Sequence, residues 1–235
     1  MNKIVLHRSE LDGFLTEDDR NGISSIESMY QRALSLSEGI GNGDRDAEAA
    51  LVEIHREIGH RLSGIASANG RIHVYSFETP PEMHDEASRL IAKLRSPETS
   101  HEEFVYYTQR AYELMFSHVF SSRRLGKKRS IIQRTPVDLP VQNYAVHRIP
   151  DVDDLIHDAV MCVMLRGALL PSMIISKAIE DSSSDGYITP FELFRIKRDE
   201  SRSESDMDYV LDLDRSFFSL EKLDGKDWIF ADPMN

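Results

Sequence analysis

The sequence predicts an α/β fold, a mostly parallel sheet flanked by helices, preceded by an α-helical N-terminal region. Three observations predict it. The run Ala159-Val160-Met161-Cys162-Val163-Met164 is short and continuously apolar, as in a strand covered on both faces. After residue 71, strand-like segments alternate with segments of helical period. Before residue 71, the apolar residues recur at helical spacing. The expected organisation is a helical extension over 1–70 and an α/β domain over 71–235.

The elements follow in order. Residues 1–21 are polar and show no clear period, and Thr16 to Asp19 offer a helix cap. Ile26, Met29, Tyr30, Ala33, Leu34 and Ser37 then recur at helical spacing, and Gly39, Gly41 and Gly43 end that helix. Asp44 is a fresh N-cap. Ala47, Ala50, Leu51, Ile54, Ile58, Leu62 and Ile65 mark one face of a long amphipathic helix, which Asn69-Gly70 stops. Residues 24–68 therefore hold two amphipathic helices, suited to packing, to a subunit contact or to a regulator.

Arg71–Phe77 alternates as a short strand, and Pro80-Pro81 breaks it. Residues 82–95 read as a helix with Ala87, Leu90, Ile91 and Leu94 on one side. Ser100 and Glu103 form a capping-box pattern ahead of a helix carrying Phe104, Tyr107, Ala111, Leu114 and Met115. Arg123–Arg129 reads as a solvated basic loop, and 130–150 as strand and loop. Beyond the apolar strand, Leu169–Ile179 reads as a helix whose first turn tolerates Pro171. Phe191–Ile196 is an expected strand, 197–208 a charged arm, Tyr209–Leu213 a further strand, Asp224-Gly225 a turn, and Trp228–Ala231 a last strand.

Composition narrows the function classes. The 235-residue chain is 40% hydrophobic and 29% charged, ordinary for a soluble globular protein, with a formal net charge of −12. That charge argues against nucleic acid and against an anionic membrane surface as partners. A phosphate ligand remains compatible, because phosphate sites are local and built from a few Arg side chains and backbone N–H groups. The single cysteine, Cys162, rules out a disulfide framework and fits a reducing cytoplasm. Inside an apolar run it reads as a structural thiol. No apolar stretch reaches the ~18 residues of a membrane span, and no signal-peptide core precedes Asp12. His55 and His60 are five apart on a helix, which is not the spacing of a zinc pair, so no metal site is read there.

Two places combine a buried strand with a polar residue at its C-terminal end. One is Met164-Leu165-Arg166-Gly167; the other is Ala231-Asp232. Ligands of open α/β sheets bind at the carboxyl ends of strands. An Arg at one end and an Asp at another suit a ligand with phosphates and hydroxyls. The guanidinium is a forked donor for phosphate oxygens, and a carboxylate accepts from sugar hydroxyls. Without such a ligand, Arg166 reads as a surface residue and Asp232 as a turn former.

Five segments, in the same order, resemble the uracil phosphoribosyltransferase family. Met164–Pro171 resembles its Leu-Arg-Ala-Gly segment. Trp228–Met234 resembles the strand leading into its Asp-Pro-Met-Leu-Ala-Thr-Gly-Gly-Ser loop. Leu94–Phe104, Ile72–Val74 and the Arg198-Asp199-Glu200 … Tyr209 arm are similar to three further family segments. The resemblance covers roughly 71–235. It implies a type I phosphoribosyltransferase fold, usually oligomeric, and transfer of phosphoribosyl from 5-phosphoribosyl-1-diphosphate to uracil, with Mg2+ accompanying the diphosphate and GTP an effector in some members. It implies that Arg166 and Arg198 contact the diphosphate, with Arg195 a rival to Arg198. It implies that Asp232 is the catalytic carboxylate opening the phosphoribosyl loop, followed by Pro233, Met234 and Asn235, and Pro233 is the pattern of the uracil branch. The chain departs from the family in Gly167-Ala168, which reverses the usual Ala-Gly, and in Asn235. The Thr-Gly-Gly-Ser segment does not follow Asn235 in these 235 residues, so the chain is expected to be incomplete and without turnover as it stands. The alternatives are a non-catalytic regulatory or interaction protein that keeps part of the fold, and a related transferase for another base.

Overall fold

The fold is taken from a computed structural model, which describes residues 3–11, 13, 15–40, 44–68, 74, 84–121, 126–134, 136, 144–199, 201–203, 206–212 and 220–232. The chain divides into two compact units, His7–Pro80 and Met1–Leu6 with Pro81–Asn235. The boundary expected after residue 70 falls among residues outside the described set. So does the strand expected over Arg71–Phe77, of which only Val74 is described.

The first unit contains a helix, α1 (Arg8–Leu11), and a helical hairpin, α2 (Glu17–Ile40) and α3 (Arg45–Ala68). Caps set where the hairpin helices begin. Thr16 Oγ1 accepts from the Asp19 N–H while the Asp19 carboxylate accepts from the Thr16 N–H, a reciprocal cap. Asp44 accepts from the N–H groups of Asp46 and Ala47. The helices run antiparallel: Arg61, late in α3, donates to Ser25 Oγ, early in α2, at 2.7 Å. Gly22 permits the close approach at that end, since a Cβ there would stand 2.9 Å from Ile65 Cδ1. Ala33 and Ile54 are the buried apolar residues of the hairpin.

The second unit is mixed α/β. Its helices are α4 (His84–Arg95), α5 (His101–Val119), α6 (Asp153–Ile156), α7 (Leu169–Ser182) and α8 (Leu220–Leu223). A parallel three-stranded sheet has β4 (Ala159–Met164) at its centre, β5 (Phe191–Phe194) on one side and β8 (Asp227–Ile229) on the other. Two antiparallel sheets accompany it. One pairs β2 (Lys128–Arg134) with β3 (Tyr144–Pro150); the other has the order β1 (Lys3–His7), β7 (Asp208–Asp212), β6 (Ile196–Arg198).

Alternation along β4 clothes both faces of the parallel sheet. Met161 and Val163 are fully buried in a core with Val152, Ile156, Tyr112, Ala168, Ile175, Ile179 and Ala231. Val160 and Cys162 point the other way, into a smaller cluster with Leu223 and Phe194. The N-cap Ala168 and, within α7, Ser172, Ile175 and Ile179 are buried on one side of the helix. Burying a side chain such as Ile179 stabilises the fold by about 2 kcal/mol. The helix after Ser100 begins with the expected capping box, both bonds present.

Four expectations change. Lys128 and Arg129, read as the end of a solvated loop, open β2, where Ile149 and Pro150 of β3 pair with them. Phe191–Ile196 is two strands, because Arg195 leaves the parallel sheet and its carbonyl accepts from the Asp212 N–H of the neighbouring sheet. The last strand ends at Ile229, two residues early. On α5, Phe104 and Met115 are exposed, and Thr108 and Tyr112 are the buried residues.

Candidate functional site

The carboxyl end of β4 is built by a tight turn into α7. The Leu165 N–H donates to the Phe194 carbonyl of β5 at 2.9 Å, which carries the parallel pairing one residue past β4. The Leu165–Arg166 peptide is cis. The Ala168 N–H then closes on the Met164 carbonyl at 3.2 Å, and Leu169 on Arg166 at 3.3 Å. Ala168 is buried in the core, so the turn is anchored from below while Arg166 and Gly167 are exposed. No side chain caps α7 at Ala168. The Leu169 N–H is taken by the Arg166 carbonyl and Pro171 has no N–H, so the anion-binding capacity of this turn rests on the Arg166 side chain, a forked donor.

Asp232 arrives at the same edge by a different route. β8 pairs with β4 in parallel, Ala159 opposite Asp227, Val160 opposite Trp228 and Met161 opposite Ile229. β8 ends at Ile229, three residues before Asp232, and β4 ends at Met164, two residues before Arg166. Ala231 fixes the approach by packing into the core that holds Met161 and Val163, and Asp232 is exposed beyond it. Neighbouring strands lie about 4.8 Å apart. Arg166 and Asp232 thus belong to one rim, at the carboxyl ends of adjacent strands.

That rim is also where the strand order reverses. The chain moves from β4 to β5 on one side, then returns to place β8 on the other. Crevices at such a reversal, outside the carboxyl ends of the strands, are where open α/β sheets take ligands.

The two rival arginines separate here. Arg195 directly follows β5, beside the Leu165–Phe194 hydrogen bond, and its own carbonyl is tied to Asp212. Arg198 lies three residues further out, at the end of β6, paired in register with Tyr209 and exposed. Backbone placement favours Arg195 as the cation nearer Arg166. Pro233, Met234 and Asn235 lie outside the described residues.

Tyr112 is the residue that sequence reasoning missed. It belongs to the buried cluster that contains Ala231, the neighbour of Asp232. Burial raises the phenol to about 12, and the Asp232 carboxylate adds to the rise. Its spacing from the buried Thr108 and from Phe116, four residues either way, was the available signal, and the polar tips of Thr and Tyr obscured it.

The opposite rim is structural. Lys226 donates to Asp158 at 2.5 Å, and the Asp227 N–H donates to the Asp158 carbonyl at 3.2 Å, tying the start of β8 to the residue before β4. The ion pair lowers the Asp158 carboxyl below its usual range and raises Lys226. A surface depression of about 520 Å3, lined by Glu221, Leu223, Asp224, Gly225, Lys226 and Trp228, lies beside this rim and away from Arg166 and Asp232. Among the described residues, no three His, Cys, Asp or Glu side chains converge as a metal site, and no helix is long and apolar enough to cross a membrane.

The sheet and its carboxyl rim define a mixed α/β protein with a parallel core. No protein-family model matches the chain, and no curated protein matches it.

Proposed function

We propose that this protein is a phosphoribosyltransferase of the uracil type, which binds 5-phosphoribosyl-1-diphosphate at the carboxyl rim of the parallel sheet. The observation that carries the reading is the shared rim of Arg166 and Asp232, at the strand-order reversal between β4 and β8. The ordered resemblance of five segments to the family supports the uracil specificity. In this reading Arg166 binds the diphosphate, with Arg195 or Arg198 as a second cation, and its charge stabilises the leaving group as the bond to the anomeric carbon breaks. Asp232 accepts from the ribose hydroxyls and favours positive charge on the ring. The ring nitrogen of uracil attacks the anomeric carbon, and diphosphate leaves with the bonding pair.

Mg2+ fits this rim. It needs few protein ligands when a diphosphate supplies oxygens, and the exposed Asp232 carboxylate would be available as one of them. GTP as an effector and a homo-oligomeric assembly belong to the same reading.

The test is UMP formation from uracil and 5-phosphoribosyl-1-diphosphate by the protein expressed from its whole open reading frame. Turnover is expected, and Arg166→Ala is expected to lower it at least a hundredfold, the scale of losing a charge-stabilising donor. Normal turnover by Arg166→Ala removes that role. No turnover with uracil or any other base favours the second reading, a non-catalytic interaction protein.

A further inference from the structure

We infer that the outward face of the β2–β3 hairpin is a docking surface for an acidic protein segment that carries apolar residues among its carboxylates. The inference is independent of the phosphoribosyl reading, since no residue of the carboxyl rim takes part.

The hairpin reverses the charge of the chain. The whole sequence has 40 Asp and Glu against 28 Lys and Arg. β2 and β3, seven residues each, hold four Lys or Arg residues and no Asp or Glu. The connecting residues 135–143 contain one acid, Asp138, and no Lys or Arg. Residues directly opposite each other in an antiparallel pair share a face. The register sets Lys128 opposite Pro150, Ser130 opposite Arg148, Ile132 opposite Val146 and Arg134 opposite Tyr144, all on one face. On the other face Arg129, Ile131 and Ile149 are partly buried. Arg129 fastens that face to the C-terminal end of α7 by donating to the Ser182 and Ser183 carbonyls. The first face is left to solvent: Ile132 is 71% exposed and Val146 58%, and Tyr144, Lys128, Arg134 and Arg148 are exposed with them.

Two properties of this face define its occupant. Ile132 and Val146 form a cross-strand aliphatic pair, and covering such a pair is favourable by about 25 cal/mol per Å2 of apolar surface. The side chains of Lys128, Arg134 and Arg148 make no ion pair or hydrogen bond among the described residues, so an anion takes them without displacing a partner there. Lys128 and Arg134 lie about 20 Å apart along β2, at about 3.4 Å per residue, with the aliphatic pair between them. An extended segment of about seven residues, acidic at its ends and apolar between, matches that spacing. A polynucleotide would set phosphates against the aliphatic pair. An anionic bilayer is an extended surface, and the net charge of −12 opposes its approach. A protein segment touches the hairpin alone, and charges more than about 8 Å away are largely screened. A second copy docked face to face would set the three cations against their equivalents.

The test measures probe binding at low salt to the protein expressed from its whole open reading frame. The probes are a short peptide of Glu and Leu, its counterpart with Lys in place of Glu, a single-stranded oligonucleotide, and vesicles containing phosphatidylserine. The Glu–Leu peptide is expected to bind and the Lys–Leu peptide is not. Arg134→Glu combined with Arg148→Glu is expected to weaken the Glu–Leu peptide at least tenfold, and Ile132→Ser about fivefold. These side chains are exposed, so the thermal melts of the variants are expected to match the wild type and to show that they fold. Failure of the wild type to bind the Glu–Leu peptide overturns the inference, as does unchanged affinity in the charge-reversed variant. Unchanged affinity in Ile132→Ser overturns it too, because the surface would then read charge alone. Tighter binding of the oligonucleotide or the vesicles assigns the face to that class of partner and overturns the protein segment. A wild-type dimer in sedimentation that the charge-reversed variant dissociates makes a second copy the occupant and also overturns it.

Discussion

Cys162 of β4 and Glu192 of β5 are partners in register across the parallel ladder, both buried. Burial raises the thiol above its ordinary range, and the neighbouring carboxylate adds to the rise. Thiolate is the reactive form, so this pairing makes the only cysteine of the chain inert. A thiol-specific reagent such as a maleimide is expected to leave the native protein unlabelled at pH 7.5 and to label one site per chain in denaturant. Stoichiometric labelling of the folded protein within minutes would contradict the burial of β4.

Burial pushes the Tyr112 phenol from the ordinary tyrosine value near 10 up to about 12. The folded state thus prefers the protonated form. The stability it contributes is fully present below pH 10 and is lost as pH rises from 10 through 12. Wild-type melting temperature is expected to fall more steeply over that window than that of Tyr112→Phe. The chain has eight tyrosines, so the phenol itself is read from the difference between the ultraviolet titrations of the two proteins. A difference curve centred near pH 10 would place Tyr112 in solvent and away from Asp232.

Ser100 Oγ accepts from the Glu103 N–H at 3.3 Å, and the Glu103 carboxylate accepts from the Ser100 N–H at 2.9 Å. These bonds satisfy two otherwise open donors at the start of α5, the helix that carries Tyr112. Ser100→Ala is expected to cost about 1 kcal/mol in urea unfolding. Ser100→Asp, which keeps an acceptor in place, is expected to recover most of it. An alanine variant as stable as the wild type would show that the cap is not formed in solution.

The sequence disclosed those elements whose signals are local. Ala159–Met164 was legible because a strand buried on both faces must be apolar throughout, and the Ser100 cap because a capping box lies within four residues. What escaped depends on distant partners. β1 sits in a polar segment, and β7, some two hundred residues later, pairs with it. The start of β2, Lys128 and Arg129, looked like the end of a basic loop because the groups that accept from Arg129, the carbonyls of Ser182 and Ser183, lie more than fifty residues away. At the candidate site, the strand-end polar residues Arg166 and Asp232 were readable, since both follow apolar runs. Tyr112 was not, because its neighbourhood is set by how α5 packs and not by any motif around it.

The C-terminal end of α7 is held by two charged groups, and one of them makes the fold sensitive to acid. Arg129 donates to the carbonyls of Ser182 and Ser183, each at 2.7 Å, and Asp153 accepts from the Ser184 N–H at 2.9 Å. That hydrogen bond with Ser184 lowers the Asp153 carboxyl below its ordinary value, with smaller help from the nearby Arg129 and His157. A depressed carboxyl contributes stability that is fully present above its unfolded value, near pH 4, and is lost as pH falls through the folded value. Asp153→Asn keeps an acceptor but removes the charge. In urea unfolding the variant is expected to be less stable than the wild type at pH 7, and the gap is expected to narrow progressively as pH falls below about 4. A gap that stays constant as the protein is acidified would mean that the charge on Asp153 does not stabilise the end of α7, leaving the Arg129 bonds to the Ser182 and Ser183 carbonyls as the charged contact that holds it.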